Sequence, residues 1–303
     1  MNTTVVVTGA TSGLGREITQ RLTRQGNRVI AVGRDPARAA ALGAELGREG
    51  TRSVVAAFDL ATLGGQRAFA DLVSKQTDRI DALINNAGVM SPHRQQTSDG
   101  YELNFALHHL APFAVTGLLL PLLRVGRVPD GPAGLNLARV VNVNSAGHQA
   151  SLGGHHNPRL DFNDLQSQHG YDPFLAYSRS KLANLLFSYE LARRHGHELV
   201  VNALHPGVVR TDLGRLWPRL QVAAMQTFAI SAAKAAPAVT ALALEPVSTQ
   251  GGYYNRTTPT RSSPPSYDLA AAERLWKVTE RISGTFDPTA VNAALASDPG
   301  QHS

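Results

Sequence analysis

The stretch from Thr3 to Gly15 constrains this chain more than any other. A β-branched run, Thr3-Thr4-Val5-Val6-Val7, stops at Thr8-Gly9, and Gly13 and Gly15 follow closely. Leu14, Ile18 and Leu22 then recur at helical spacing with polar residues between them. Strand, glycine-rich turn and helix together form the layout that holds a dinucleotide pyrophosphate. Gly9 permits the tight turn, and glycines without Cβ let the backbone approach phosphates. The free N–H groups and the positive dipole end of the helix then face the anion. Gly9, Thr11, Ser12, Gly13, Leu14 and Gly15 are therefore the candidate phosphate-side contacts. Their spacing, G-x-x-x-G-x-G, differs from the commoner G-x-G-x-x-G.

The pattern then repeats. Arg28 to Gly33 is a near-continuous apolar strand, as expected of one covered on both faces. An alanine- and leucine-rich helix runs from Pro36 to Arg48. A third strand spans Ser53 to Phe58 and closes in Asp59-Leu60. A helix over 63–76 precedes a fourth strand, Ile80 to Ile84, which ends in Asn85-Asn86-Ala87-Gly88. Further expected elements are a long helix from Gly100 to Arg124, strands at 139–143, 199–204 and 251–254, and helices at 174–194 and 231–244. Thr257 to Ser266 reads as loop, and Asp268 caps a terminal helix over 268–282. The alternation predicts an α/β, doubly wound parallel sheet of seven strands with helices on both faces, in a single Rossmann-type domain over 1–303.

The net charge of +6 comes from scattered basic residues, with no cluster beside stacking aromatics. That argues against a nucleic-acid surface. Cysteine is absent, which excludes disulfides and thiolate chemistry and suits a reducing compartment. With the first strand starting by Thr4, no room is left for a cleaved leader, and the expected location is cytoplasmic. The longest apolar run, Leu110 to Leu123, is short for a membrane span and contains Pro112 and Pro121, so a buried helix is expected.

The adenosine ribose pocket lies at the end of the second strand, about 20 residues past the glycines. An acidic residue there hydrogen-bonds the ribose 2′-OH. Here the strand ends in Gly33-Arg34, and a guanidinium forms a fork with a 2′-phosphate. The reading favours NADP(H) over NAD(H). It inverts if Asp35, the next residue, turns its side chain to the ribose instead.

Tyr177 and Lys181 are an i, i+4 pair near the start of a predicted helix and share one face. A free phenol has a pKa of about 10, and bringing it to about 7 takes about 4 kcal/mol of differential stabilisation. A neighbouring ammonium and an oxidised nicotinamide ring supply stabilisation of that kind in a desolvated cleft. Ser145, at the carboxyl end of the fifth strand, can hydrogen-bond a substrate oxygen. All of these residues fall beyond the carboxyl ends of the strands, where open α/β sheets bind ligands.

Together, Thr8-Gly-Ala-Thr-Ser-Gly-Leu-Gly15, Asp59-Leu60, Asn85-Asn-Ala-Gly88, Ser145, Tyr177-x-x-x-Lys181 and Pro206-Gly207 resemble the short-chain dehydrogenase/reductase family over nearly the whole chain. Within it, Tyr177-Ser-Arg-Ser-Lys-Leu-Ala-Asn-Leu-Leu-Phe187, His205-Pro-Gly-Val-Val-Arg-Thr211 and Glu273-Arg-Leu-Trp-Lys-Val resemble the retinol dehydrogenase, WW-domain oxidoreductase and protochlorophyllide reductase group. The resemblance implies that Tyr177 is the acid or base, that Lys181 holds the ribose and lowers the tyrosine pKa, and that Ser145 orients the carbonyl. It implies that Asp59 and Leu60 flank adenine and that Asn86, Ala87 and Gly88 line the ribose–nicotinamide region. Pro206, Gly207, Val209 and Thr211 are implied at the carboxamide end.

One position departs from the family. Relatives place an asparagine four residues before the Pro112-Phe113 site, where it holds a water in the proton relay. This chain has His108 there. An imidazole either replaces that asparagine, relays protons in a pH-sensitive way, weakens turnover, or fills the helix interface. Asn144 also stands where relatives often have a second serine.

The expected function is NADP(H)-dependent hydride transfer between nicotinamide and a carbonyl or alcohol. The alternative is a cofactor-binding regulator or scaffold with little turnover, motivated by His108. A metal site from His148, His155 and His156 fits no ligand spacing, and none is expected. Residues 146–172 and 212–232 are the expected lids over a small-molecule substrate of lipophilic character. The family resemblance and the apolar helix Leu110–Leu123 permit a homodimer or homotetramer.

Overall fold

The computed structural model describes residues 3–286, apart from 51, 130, 135, 150–153, 155, 211 and 219–228. Strands β1 (Thr4–Thr8), β2 (Arg28–Gly33) and β3 (Val54–Ala57) alternate with helices α1 (Gly13–Arg24), α2 (Pro36–Arg48) and α3 (Leu63–Gln76). β4 (Ala82–Asn85) leads to α4 (Leu103–Val125). β5 (Ala138–Val143) is followed by α5 (Pro173–His195) and β6 (Leu199–His205). The short strands β7 (Val209–Arg210) and β8 (Ile230–Ser231) pair only with each other. Helix α6 (Ala232–Leu244), β9 (Gly252–Asn255), β10 (Thr258–Pro259) and α7 (Leu269–Ser283) complete the described chain.

The main sheet runs β10-β9-β6-β5-β4-β1-β2-β3. All neighbours are parallel except β10, which turns back antiparallel on β9. The expected seven strands are therefore eight. The extra one is two residues long, contains Pro259, and follows a turn in which Arg256 has a φ of 56°. A proline at a short sheet edge is allowed because its missing N–H has no ladder partner to lose. That same Thr- and Pro-rich composition reads as loop in the sequence.

Both faces of the sheet are covered. On one, Leu14, Ile18 and Leu22 of α1 pack with Ala235, Val239 and Leu242 of α6 against Val5, Val7 and Ile84. On the other, Phe69 of α3, Phe113 and Leu119 of α4, Phe187 of α5 and Trp276 of α7 cover Val6, Leu83 and Val140. The α1 stripe is the one read from the sequence, and burying it fixes the direction in which the glycine turn points. Capping sets several helix starts. Asp35 accepts the N–H groups of Ala37 and Arg38 ahead of Pro36, and Asp172 accepts that of Leu175 ahead of Pro173.

Helix α4 starts at Leu103, not Gly100, because the Glu102 carboxylate caps it through the N–H groups of Asn104 and Phe105. It is not uniform, since Ala106–Leu110 forms a π-turn. Such turns are rare and concentrate at functional sites. By length and composition Leu103–Val125 could cross a membrane, but 72% of its most apolar window is buried inside this fold. Its apolar side chains pack on α3 and the sheet, as expected of a buried helix.

Asp81, buried just ahead of β4, joins three segments. Its carboxylate accepts the N–H of Thr4 at 2.8 Å and that of Arg127 at 2.9 Å, and Arg79 approaches at 3.5 Å. Asp81→Ala leaves two backbone donors without that acceptor. It should destabilise the protein by about 3 kcal/mol, read as a shift of the urea midpoint at constant slope.

Candidate active site

The carboxyl ends of β1, β4, β5 and β6 open into one cleft of about 770 Å³, within the range of small-molecule and cofactor sites. At its centre Gly9 has a φ of +65°, and a Cβ there would lie 2.7 Å from the Ala87 Cα. The Asn86 side chain donates to the carbonyls of Thr8 and Gly9 at 2.9 and 3.2 Å. Thr8 Oγ1 in turn accepts the N–H groups of Asn86 and Ala87, both at 3.0 Å. Asn86 thus braces the turn as well as lining the cleft. A Cβ on Gly15 would overlap the Gly9 carbonyl, and one on Gly33 would overlap the Thr11 side chain. These glycines allow close approach of backbone to neighbouring protein segments. Ser12, the N-cap of α1, makes no side-chain capping bond, which leaves the helix end to face an anion.

At the end of β2, Arg34 and Arg38 line the cleft beside Asp35. Asp35 Oδ1 accepts the α2 cap bonds at 2.9 and 3.1 Å, and Oδ2 lies 3.9 Å from the Arg38 guanidinium. The side chain that threatened to invert the cofactor reading therefore serves a helix start. Arg38 was not singled out in the sequence. Its placement follows from α2 beginning at Pro36, which brings residue 38 round to the same rim. Asp59 and Leu60 line the same region, with the Asp59 carboxylate accepting the Ala61 N–H at 3.0 Å.

Ser145, Tyr177 and Lys181 meet on the opposite wall. Ser145 Oγ accepts the Gly147 N–H at 3.1 Å and hydrogen-bonds the Tyr177 phenol. Lys181 Nζ donates to the Val143 carbonyl at 3.1 Å and lies 5.9 Å from the Tyr177 ring centroid. Burial dominates both groups. It pushes the phenol up from its usual value, against the lowering expected from the sequence, and the Ser145 hydrogen bond only partly offsets this. It pulls the Lys181 ammonium down to about 7. Desolvation disfavours the charged form of either group, and both are buried.

Asn144 is a strut that sequence reasoning undervalued. Its Nδ2 donates to the Lys181 carbonyl at 3.0 Å and to Asn184 Oδ1 at 2.7 Å, and its Oδ1 accepts the Ser145 N–H at 2.7 Å. It couples the serine on β5 to the helix that carries the tyrosine and lysine. A serine side chain is too short to bridge all three.

Ala87, Gly88, Pro206, Gly207 and Val209 line the cleft as expected. Thr211 lies outside the described residues, as does much of the second expected lid. The described part, 212–217, closes over the strand end. Met90 N–H donates to the Leu213 carbonyl at 2.9 Å, and Trp217 Nε1 donates to that of Met90 at 3.1 Å. The first expected lid behaves differently. Leu160, Phe162 and Leu165 pack on the outer cluster around Phe105 and Leu182, and among the described residues of that segment only Ala146 and Gly147 line the cleft. Its apolar residues are spent on packing against α4 and α5. Among the described residues no metal-holding cluster occurs. His155 is outside them.

His108 is buried beneath this wall, not in it. Both ring nitrogens are engaged, Nε2 with the Val89 N–H at 3.1 Å and Nδ1 with Ser180 Oγ at 2.8 Å. Burial, with Lys181 and Arg215 nearby, holds its pKa well below the ordinary value. The imidazole is therefore neutral at physiological pH.

Comparison with known proteins agrees with this geometry. Residues 3–155 match the family described as short chain dehydrogenase. Retinol dehydrogenase 14 of Homo sapiens is 35% identical over 305 residues, covering 93% of this chain and 86% of that protein. A crystal structure titled as a putative uncharacterized protein from Mycobacterium Paratuberculosis superposes with a TM-score of 0.72 at 32% identity, covering 94% of this chain and 95% of the other. An NADPH-bound carbonyl reductase from chicken fatty liver shares the fold at a TM-score of 0.64 and 22% identity, covering 86% of this chain and all of that one. With its glycine turn, its serine, tyrosine and lysine at one rim and its likeness along nearly the full length, the chain belongs to the short-chain dehydrogenases, as an oxidoreductase of the retinol dehydrogenase type.

Proposed function

We propose that this protein is an NADP(H)-dependent carbonyl reductase or alcohol dehydrogenase. The observation that carries the reading is the meeting of Ser145, Tyr177 and Lys181 in one buried wall opposite the Gly9–Gly15 turn. The residues present fit a dinucleotide. Gly9 and Gly15, where a Cβ would collide with Ala87 and the Gly9 carbonyl, shape the turn at the helix end, and two arginines stand at the ribose end. NADPH, when bound, supplies the hydride.

The chain's own residues supply the rest. The Ser145 hydroxyl holds the carbonyl oxygen. The Tyr177 O–H donates its proton to that oxygen as negative charge develops there. Lys181, in its ammonium form, stabilises the resulting phenolate and is positioned to hold the ribose. Because burial keeps Tyr177 as a phenol, the acid form needed for carbonyl reduction is the resident form. Oxidation of an alcohol requires the phenolate first.

Arg34 and Arg38 support a 2′-phosphate, although Asp35 lines the same rim with its Oδ2 3.9 Å from the Arg38 guanidinium. Met90, Leu103, Leu107, Phe174 and Leu213 form an apolar end to the cleft. A lipophilic carbonyl gains by leaving water there. The scaffold reading rested on His108, and the catalytic groups stand together despite it. Hydride transfer is the reading these contacts favour.

Tyr177→Phe should lower kcat/KM for carbonyl reduction by about a thousandfold while NADPH binding, followed by fluorescence titration, persists. Full activity in that variant would refute the mechanism. Arg34→Ala should weaken NADPH binding by about tenfold or more and leave NADH binding unchanged. Equal losses for both cofactors would remove the 2′-phosphate assignment. Since Lys181 is needed charged and burial brings its pKa to about 7, kcat/KM should fall as pH rises through that value. Lys181→Arg, charged at any accessible pH, should flatten that limb of the profile even if its maximum is lower.

A further inference from the structure

The π-turn of α4 sets His108 between two backbone segments of the cleft. On one side is the strand end after β4. The Val89 N–H donates to His108 Nε2 at 3.1 Å, and a Cβ on Gly88 would lie 3.1 Å from the same nitrogen. On the other side is the second turn of α5. His108 Nδ1 is 2.8 Å from Ser180 Oγ, and that hydroxyl donates to the Tyr177 carbonyl at 2.6 Å.

Donor accounting leaves one arrangement. A backbone N–H only donates, so Nε2 accepts and bears no proton. A neutral ring then carries its proton on Nδ1. Ser180 has one hydroxyl proton and gives it to the Tyr177 carbonyl, so its oxygen accepts from Nδ1–H. The line Val89 N–H, His108, Ser180, Tyr177 carbonyl is closed at both ends and offers no free site for a proton to enter or leave. Around it, the His108 ring meets the Tyr177 ring edge-on at 5.4 Å, and the His108 carbonyl accepts the Asn184 amide at 2.9 Å.

We propose that His108 is a positioning residue for Tyr177: a neutral imidazole, protonated on Nδ1, that ties the Gly88–Val89 strand end to the helical turn presenting the phenol and relays no proton. It spans a gap between two backbones that an asparagine, whose polar atoms both end at the δ position and lack the reach of Nε2, does not bridge in the same way. The ionisable groups facing it, Lys181, Arg215 and the Tyr177 phenol, include no carboxylate to favour an imidazolium. Burial acts in the same direction.

The proposal rests on the reading of Tyr177 as the proton donor, and its test separates the two. Nitrogen-15 histidine NMR on the full chain, with His108 assigned by its loss in His108→Gln, reads the tautomer without using activity. The expected signature is an Nδ1–H ring with a hydrogen-bonded, unprotonated Nε2 that does not titrate between about pH 5 and 9. An Nε2–H tautomer, or an imidazolium forming in that window, overturns the clamp. Ser180→Ala should lower kcat by about tenfold, or about 1.4 kcal/mol, with KM for NADPH changed by less than about twofold and the pH profile keeping its shape. An unchanged kcat, or an ionisation lost from the profile, also overturns it. If Tyr177→Phe stays active, the catalytic reading fails, while the NMR tautomer still decides the clamp.

Discussion

Gly9 and Ala87 approach so closely that no Cβ fits between them, and the site is organised from that contact outward. It lies between β1 and β4, the point at which the strand order reverses direction and the sheet opens a crevice. One wall is the glycine turn leading into α1. The other is Asn86-Ala87-Gly88, bound to the first by the Asn86 amide and the Thr8 hydroxyl. A side chain at position 9 would part the two walls and would also be strained by the positive φ. Everything that binds across the crevice depends on this spacing.

Behind the crevice, polar side chains connect the layers where aliphatic packing would be expected. Asn85 donates to Asn142 at 2.9 Å, and Asn142 donates to Ser188 at 2.8 Å. Asn144 joins Asn184, and Asn184 reaches the His108 carbonyl. All of these side chains are buried. Apolar contacts would hold β4, β5, α5 and α4 together equally well, but they would not fix the rotation of α5. Directional bonds in a low-dielectric interior do fix it, provided they are satisfied. The rotation of α5 decides where Tyr177 and Lys181 point.

This explains what could be read from the sequence and what could not. The parallel order, the glycine turn and the tyrosine–lysine pair are local patterns, and local periodicity carries them. Arg34 was legible for the same reason, whereas the fate of Asp35 required knowing that α2 begins at the next residue. The polar ladder was invisible because each asparagine finds its partner tens of residues away. The π-turn and the packing of Leu160 and Phe162 away from the cleft are tertiary outcomes. A hydrophobic residue in a loop does not declare which surface it will cover. Thr258–Pro259 was missed because its pairing comes from the neighbouring edge and not from its own propensity.

In the chain's own environment the Tyr177 phenol is raised by burial, and the reason bears on catalysis. The lowering expected from the sequence took an ammonium together with an oxidised nicotinamide ring. In the fold both groups are buried, and burial penalises phenolate and ammonium alike. An ammonium beside the ring attracts a phenolate by Coulomb interaction, all the more where water is excluded. That attraction exists only once the phenol has lost its proton. It is therefore small in the ground state and grows as charge develops, which is the condition for an interaction to speed a reaction instead of merely tightening a complex. A wall that stabilised the phenolate permanently would surrender the proton before substrate arrived. Burial against Ser145, with the lysine beside the ring, keeps the proton in place until a carbonyl oxygen begins to take it.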